Sequence, residues 1–431
     1  MLKLLKYCLL VAAFFVFTNT LASQLFASNL SKVIALLIAF SATVILRKKI
    51  NAISFNNFFL VLVFVTIIFT IFIGPKEQKS TENRNLANFP KWRWSNVWKF
   101  FSGYSDYVDD RFHNRSNFIQ GYGYFIYEKL KLNPINNRAI IGKDEWMFYF
   151  DKQYCIDISK PFTHEELKIL HYNLVLTTKW FEKHGIHYYL TIPPVKPRIY
   201  PEKLPDFLRI KLSYSRLKQF KAYLNSKSSY NFIDYWDELQ KAKQYRNQIY
   251  YKTDTHWNEH GSFIGYSKIL NTIKKDFPEI KVYTKEQYKE EVVFEYSGDL
   301  IQMIGFNPKI YAKRYKLSCK DSSKVTLLYN TEPILYDNGF QKYKNTNPPN
   351  ELRVFVIRDS YTEHLKKFFN QSFNEVVYAW MPTIPMAKIK EEKSNIIIHE
   401  MLERFTFKYL ELSPEIKNDT AFVNKFNIED F

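Results

Sequence analysis

Two short stretches of this chain hold residue types able to do chemistry. The first is Tyr250-Tyr251-Lys252-Thr253-Asp254-Thr255-His256-Trp257-Asn258, where a carboxylate precedes an imidazole by two positions. In extended backbone, residues two apart point the same way. Asp254 can therefore accept a hydrogen bond from one ring nitrogen of His256 and leave the other to act as a base near neutral pH. The second is Val354-Phe355-Val356-Ile357-Arg358-Asp359-Ser360-Tyr361, an apolar strand that ends at a hydroxyl and opens into a helix. An Asp to orient, a His to take a proton and a Ser to attack are the three groups of acyl-transfer chemistry.

Each piece also has a plainer reading. Asp359 or Ser360 can cap the helix that follows, a common task for either residue at such a junction. An isolated Asp-x-His can be a structural pair at a turn. His260 lies four residues beyond His256, but no Cys or acidic partner stands at zinc-ligand spacing. The chemistry itself needs neither a metal nor an organic cofactor.

The elements that must position these groups follow from periodicity. Apolar stretches at 186–192, 230–233, 352–357, 375–379 and 395–399 read as strands. Between them run helical patterns: Leu167, Leu170, Leu174 and Phe181 on one face with Gly185 as the stop, 216–224, then Phe263, Tyr266, Leu270 and Ile273, and finally 361–369. Residues 139–149 read as two short strands around a Lys-Asp-Glu turn. Short strands alternating with helices predict an α/β fold, a parallel sheet flanked by helices on both faces. Ligands in such sheets bind at the carboxyl ends of strands, which is where Ser360 falls.

Upstream the chain changes character. Residues 8–27, 33–46 and 58–74 are apolar runs, and a bilayer core asks for about 20 such residues. Lys3 and Lys6 precede the first run, and Arg47, Lys48 and Lys49 follow the second. By the positive-inside rule, both clusters are cytoplasmic and the remainder of the chain lies outside the cytoplasm. The expected organisation is a membrane anchor of two to three transmembrane helices over 1–76, a connector and helical lead-in over 77–135, and one catalytic domain over 136–431. The formal net charge is +18, but the basic residues are scattered among Tyr, Asn and Ile rather than clustered. That pattern argues against nucleic acid and allows attraction to an anionic envelope polymer or lipid surface. Cys155 and Cys319 are the two cysteines beyond the apolar runs, so one disulfide is possible there.

From Glu82-Asn83-Arg84 to about residue 405 the chain resembles the alginate O-acetylation proteins of the AlgX/AlgJ type, which carry an SGNH-hydrolase-like domain. The resemblance rests on Asp109-Asp110-Arg111-Phe112, Ile141-Gly142-Lys143, Pro194-Val195-Lys196 and Tyr200-Pro201. It continues through Tyr251 to Asn258, Gly298-Asp299-Leu300, Arg358-Asp359-Ser360-Tyr361 and Ile396-Ile397-Ile398-His399-Glu400. It implies an SGNH-hydrolase-like sheet in permuted motif order, with the nucleophile late in the chain. Carried over, Ser360 looks like the nucleophile, His256 the base and Asp254 the orienter. The function implied is that of a membrane-anchored O-acetyltransferase acting on an exported cell-surface polysaccharide, its acetyl groups supplied by a membrane-bound acyltransferase.

One departure stands out, because the family's Gly before Asp-Ser is Arg358 here. An arginine at that point would crowd the site or bind an anionic sugar or phosphate. Lys196, Trp257, Tyr361 and Arg404 are further candidates for substrate contact. The plainer readings are a solvated loop lysine for Lys196 and core packing for Trp257 and Trp380. Two other functions compete: a carbohydrate acetyl esterase, which would use the same residues with water as acceptor, and a non-catalytic polysaccharide-binding protein whose Arg358 marks a decayed site.

Overall fold

The computed structural model describes residues 85–431, apart from 135–137, 152–159, 212–214, 228–231, 247, 296–297, 309, 311, 321–324, 332–338 and 381–382. Before residue 85 it describes three isolated positions, Ser54, Asn57 and Leu60. The apolar runs 8–27, 33–46 and 58–74 thus fall, but for Leu60, outside the described residues, and Cys155 does too. Among the described residues no helix is long and apolar enough to cross a membrane. The chain divides into two units, Met1–Gly123 and Tyr124–Phe431.

In the first unit the described part is a crossing segment followed by helices α1 (Val97–Arg111) and α2 (Arg115–Tyr124). Asn96 caps α1 by accepting from the Lys99 amide.

The second unit is built on a seven-stranded sheet. A small antiparallel pair, β1 (Ala139–Ile141) and β2 (Met147–Tyr149), precedes it around the Lys143–Glu145 turn. The sheet strands in chain order are β3 (His187–Thr191), β4 (Phe232–Ile233), β7 (Val325–Asn330), β8 (Gly339–Asn345), β9 (Arg353–Arg358), β10 (Glu375–Trp380) and β11 (Ile396–Glu400), with β5 (Tyr288–Glu295) and β6 (Ala312–Cys319) forming a separate antiparallel pair. Their spatial order is β4-β3-β11-β9-β10-β8-β7. The first five are mutually parallel, and β8 and β7 extend the sheet in antiparallel fashion.

Side chains alternate across the sheet as strand geometry requires. Val354 and Val356 of β9, with Ile396 and Ile398 of β11, join one apolar cluster. Phe355, Ile357 and Ile397 join the other. Helix α3 (His164–Lys183), opened by a Thr163/Glu166 capping box, and helix α4 (Arg216–Asn225) cover the second face through Leu170, Leu174, Leu217 and Phe220. On the first face lie helix α5 (Glu259–Ile273), through Tyr266, Ile269 and Leu270, and helix α6 (Lys366–Ser372), through Phe368 and Phe369. Burial of each such side chain contributes about 1.5–3 kcal/mol. The near-continuous apolar runs of β9 and β11 are what a strand buried on both faces needs.

One expected element is reshaped. The helix read over 361–369 is a short 3-10 turn, Ser360–His364, followed by α6. Asp359 caps the turn, accepting from the Tyr361 amide. The antiparallel strands β5 to β8 were not foreseen. β5 and β6 are rich in charged residues, β8 carries two lysines, and β7, though apolar, is mostly exposed, so none shows a clean in-and-out alternation.

Candidate active site

Ser360 follows β9, the fourth strand in spatial order, after the single residue Asp359, and so stands at the carboxyl edge of the sheet. The Asp254–His256 loop reaches the same edge from another direction. It lies between Tyr250 and Trp257, which form an isolated antiparallel bridge that pinches the loop's base. Trp257 seats it. The indole is fully buried, donates from Nε1 to the Tyr361 carbonyl at 3.0 Å, and packs where Gly265 leaves room, since a Cβ there would sit 2.9 Å from the indole Cη2. Asn258 then caps α5, accepting from the amides of His260 and Gly261.

The three groups converge. His256 Nδ1 lies 2.6 Å from Asp254 Oδ1, and His256 Nε2 lies 2.7 Å from Ser360 Oγ. With Nδ1–H donating to the carboxylate, Nε2 is left to accept the serine hydroxyl. The Asp254 carboxylate is itself held by two backbone amides. The His256 N–H donates to Oδ1, and the Asp299 N–H donates to Oδ2, each at 3.0 Å.

Asp299 is the residue that sequence reasoning did not single out as part of the site. Its carboxylate accepts from the Thr255 amide at 2.8 Å and from the Thr255 hydroxyl at 2.5 Å, while its amide holds Asp254. The aspartate thus clamps the loop from both sides of Thr255. Gly298 permits this approach: its φ is +142°, and a Cβ would fall 2.1 Å from the Thr253 carbonyl oxygen. The Gly298-Asp299-Leu300 segment, a glycine before an aspartate at a helix start, was the available signal.

Electrostatics follow from this geometry. Burial pushes the Asp254 carboxyl up, but the His256 charge, the hydrogen bond from its ring and two amides outweigh it and hold the group well below the usual carboxylate range. For His256, burial favours the neutral ring, yet Asp254 and then Asp299 prevail and raise it above the ordinary imidazole value. Burial, reinforced by the charge of Asp254, raises Asp299. His364 brings a second imidazole to the site, its ring centroid 5.9 Å from that of His256. Burial, and then the charge of His256, pushes His364 down to about 3, so its ring is neutral at physiological pH. Asp254, His256 and Asp299 also offer three potential metal-ligand atoms within 4.8 Å of one another. Those atoms already serve hydrogen bonds inside the loop.

The remaining candidates separate into cleft and core. Lys196, Tyr361 and Arg404 line a narrow cleft beside the loop together with Tyr149, Thr255 and Leu402. The Arg404 guanidinium lies over the Tyr149 ring at 4.4 Å. Lys196 is not a solvated loop residue: its Nζ is 2.9 Å from both the Lys252 and Asp254 carbonyls, tying down the loop from beneath. Burial lowers Lys196 to about 7 against the opposing pull of Asp254. The Tyr361 hydroxyl is committed to the Thr255 carbonyl at 2.6 Å, so Tyr361 braces the loop as well.

Two expectations of substrate contact are overturned. Trp257 presents no ring face to a sugar, because both faces are packed in the core. Arg358 is 1% exposed and points away from solvent. Strand register sets it beside Trp380 of β10, so its guanidinium stacks on that indole at 4.4 Å and reaches Glu363 at 2.7 Å. It therefore neither crowds Ser360 nor faces a ligand.

A mainly parallel α/β sheet with an Asp and a His from one loop meeting a Ser from a later segment at its carboxyl edge is an SGNH-hydrolase-like architecture. The family model described as SGNH hydrolase-like domain, acetyltransferase AlgX, matches residues 139–384, more than half of the chain, and the chain belongs to that family. Among curated relatives, the probable alginate O-acetylase AlgJ of Pseudomonas syringae pv. tomato is 26% identical over 172 residues, 39% of this chain and 42% of that protein. The AlgJ of Pseudomonas putida is 26% identical over 140 residues, 32% of this chain and 34% of that protein. The chain thus spans less than half the length of these relatives. Similar solved structures include PatB1 of Bacillus cereus, 18% identical with a TM-score of 0.47 over 64% of this chain and 98% of that one. Another is the O-acetyltransferase domain of P. putida AlgJ, 17% identical with a TM-score of 0.43 over 68% of this chain and 100% of that one.

Proposed function

We propose that the protein is an O-acetyltransferase that acts through an acetyl-serine intermediate on hydroxyls of an exported cell-surface polysaccharide. The reading is carried by the continuous hydrogen-bond path from Asp254 through His256 to the Ser360 oxygen. His256 accepts the Ser360 proton as Oγ attacks the carbonyl carbon of an acetyl ester. The tetrahedral adduct collapses, the leaving alkoxide takes that proton from His256, and acetyl-Ser360 remains. A sugar hydroxyl then gives its proton to His256, attacks the acetyl carbon and leaves with the acetyl group as Ser360 regains its proton.

Asp254 holds the ring in the tautomer this sequence needs and stabilises the imidazolium as it forms. The amide of Tyr361 is already taken by Asp359, so an oxyanion donor must come from elsewhere, the Ser360 amide being the nearest in sequence. A polysaccharide acceptor is supported by the relatives' names, and Arg404 with Tyr149 gives the cleft a polar, aromatic lining. The three apolar runs support a membrane anchor that leaves the second unit outside the cytoplasm, near a membrane-bound acyltransferase that supplies acetyl groups.

Intact mass of the protein after exposure to an activated acetyl ester tests the reading. One added acetyl group is expected in the wild type and none in Ser360→Ala. With an oligosaccharide present, the acetyl group should pass to the sugar. Free acetate as the sole product would instead identify an esterase, and an unmodified wild type would refute acyl-serine chemistry.

A further inference from the structure

The first unit exposes an aromatic face whose chemistry points to a particular surface. Residues 85–90 cross α1 and occupy one of its sides. The Phe89 ring packs edge-on against Phe100, Tyr104 and Tyr107 at 6.2, 6.0 and 5.3 Å. The crossing is fixed by the Ala87 amide donating to the Asp110 carboxylate at 2.8 Å and by Arg111 Nε donating to the Ala87 carbonyl at 2.7 Å. On another side stand Trp98 and Phe101, three apart on one stripe of α1, preceded by Trp94 in the 3-10 turn Trp94–Asn96 that leads into the helix. Trp94, Trp98 and Phe101 are 84%, 84% and 54% exposed. Trp92, 45% exposed, packs edge-on against Trp94 at 5.2 Å and extends the patch.

Charge is distributed unevenly around this patch. Lys91, Arg93 and Lys99 are exposed among the indoles, while the exposed Asp106 and Asp109 lie toward the far end of the helix. An apolar patch of this size in water is a liability unless something covers it. Indole rings favour the headgroup level of a bilayer, where an apolar body and an N–H donor are both satisfied. Exposed Lys and Arg beside them add attraction to anionic lipid. The apolar run 58–74 ends twenty residues before Trp94 in the sequence, which tethers the patch close to lipid if that run spans.

We propose that Trp92, Trp94, Trp98 and Phe101, with Lys91, Arg93 and Lys99, form an interfacial docking face for an anionic bilayer surface. The face holds the start of α1 at the headgroups. This is independent of acyl chemistry and touches the membrane reading only through the upstream run.

The test uses the full chain in nanodiscs of phosphatidylethanolamine and phosphatidylglycerol, with ordinary or brominated acyl chains. The emission lost between wild type and the Trp94→Phe/Trp98→Phe variant isolates those two indoles. That difference signal should fall by at least half in brominated discs, and by less in discs of phosphatidylcholine alone. Lys91→Gln/Arg93→Gln/Lys99→Gln should abolish the dependence on anionic lipid. A difference signal untouched by bromine would overturn the proposal, whether the face is then in water or against protein. A chain that does not enter discs at all would overturn both this face and the membrane anchor, whereas entry with unquenched indoles would overturn the face alone.

Discussion

The backbone N–H of Asp299 donates to Oδ2 of Asp254 at 3.0 Å, so a residue 45 positions downstream holds the carboxylate that orients His256. The Asp299 side chain returns to Thr255, between the two residues it serves. Asp299→Ala should keep the Asp254 contact, which is made by backbone, but free Thr255. The expected result is a 10- to 100-fold drop in kcat with KM little changed, since a loosened loop misplaces His256 by a fraction of an ångström. Asp299→Asn keeps an acceptor for Thr255 and should recover much of the rate. Steady-state kinetics on both variants decide the point, and equal loss in the two would refute positioning by hydrogen bonding.

His256 is raised by Asp254, and catalysis needs its neutral form, so activity should climb with pH through an acid limb above the ordinary imidazole value of roughly 6.5. Asp254→Asn removes the charge that raises the ring. The limb should then move toward lower pH, and kcat should fall by about 10³–10⁴ because the required tautomer is no longer favoured. A pH–rate profile of the two proteins measures both effects.

Arg358 stands where relatives of this type are expected to have glycine, yet it is buried against Trp380 and paired with Glu363. Arg358→Met should lower stability by about 1–3 kcal/mol, at the modest end because Glu363 is half-exposed and keeps water once unpaired. The KM for a glycan acceptor should not move. Urea unfolding and acceptor kinetics check this, and a several-fold rise in KM at unchanged stability would restore a ligand-binding role.

His399 of β11 is fully enclosed, with Nδ1 2.7 Å from the Tyr188 hydroxyl. Burial lowers it to about 4, so the fold favours the neutral ring and the unfolded chain binds the proton first. Its contribution is complete above roughly pH 6.5 and drains away as pH falls toward 4, on the order of 3 kcal/mol in all. His399→Gln should flatten that part of the stability curve. Denaturant melts between pH 4 and 7.5 compare the two, and parallel curves would exclude this histidine as the source.

Lys196 ties the Lys252 and Asp254 carbonyls together. Lys196→Met matches its length without the donor and should cost kcat rather than KM, with the protein still folded by circular dichroism. A rise in KM alone would instead mark Lys196 as a substrate contact.

Local pattern was enough for the parallel core. The apolar runs of β3, β9, β10 and β11 and the amphipathic faces of α3 and α5 are visible in sequence because burial on both faces, or on one stripe, leaves a periodic trace. The Asp-x-His and the Ser after β9 were legible for a related reason, since their roles depend on spacing within one segment and on a strand's end. What the polypeptide alone could not disclose is which side chains point inward once strands are paired. Register places Arg358 beside Trp380 and so buries a charge that reads as a ligand contact. The seat beneath the loop likewise takes Trp257 out of reach of a sugar. Asp299 and Lys196 meet Asp254 only because a distant turn and a sheet edge converge, and no one-dimensional spacing encodes a contact made across the fold.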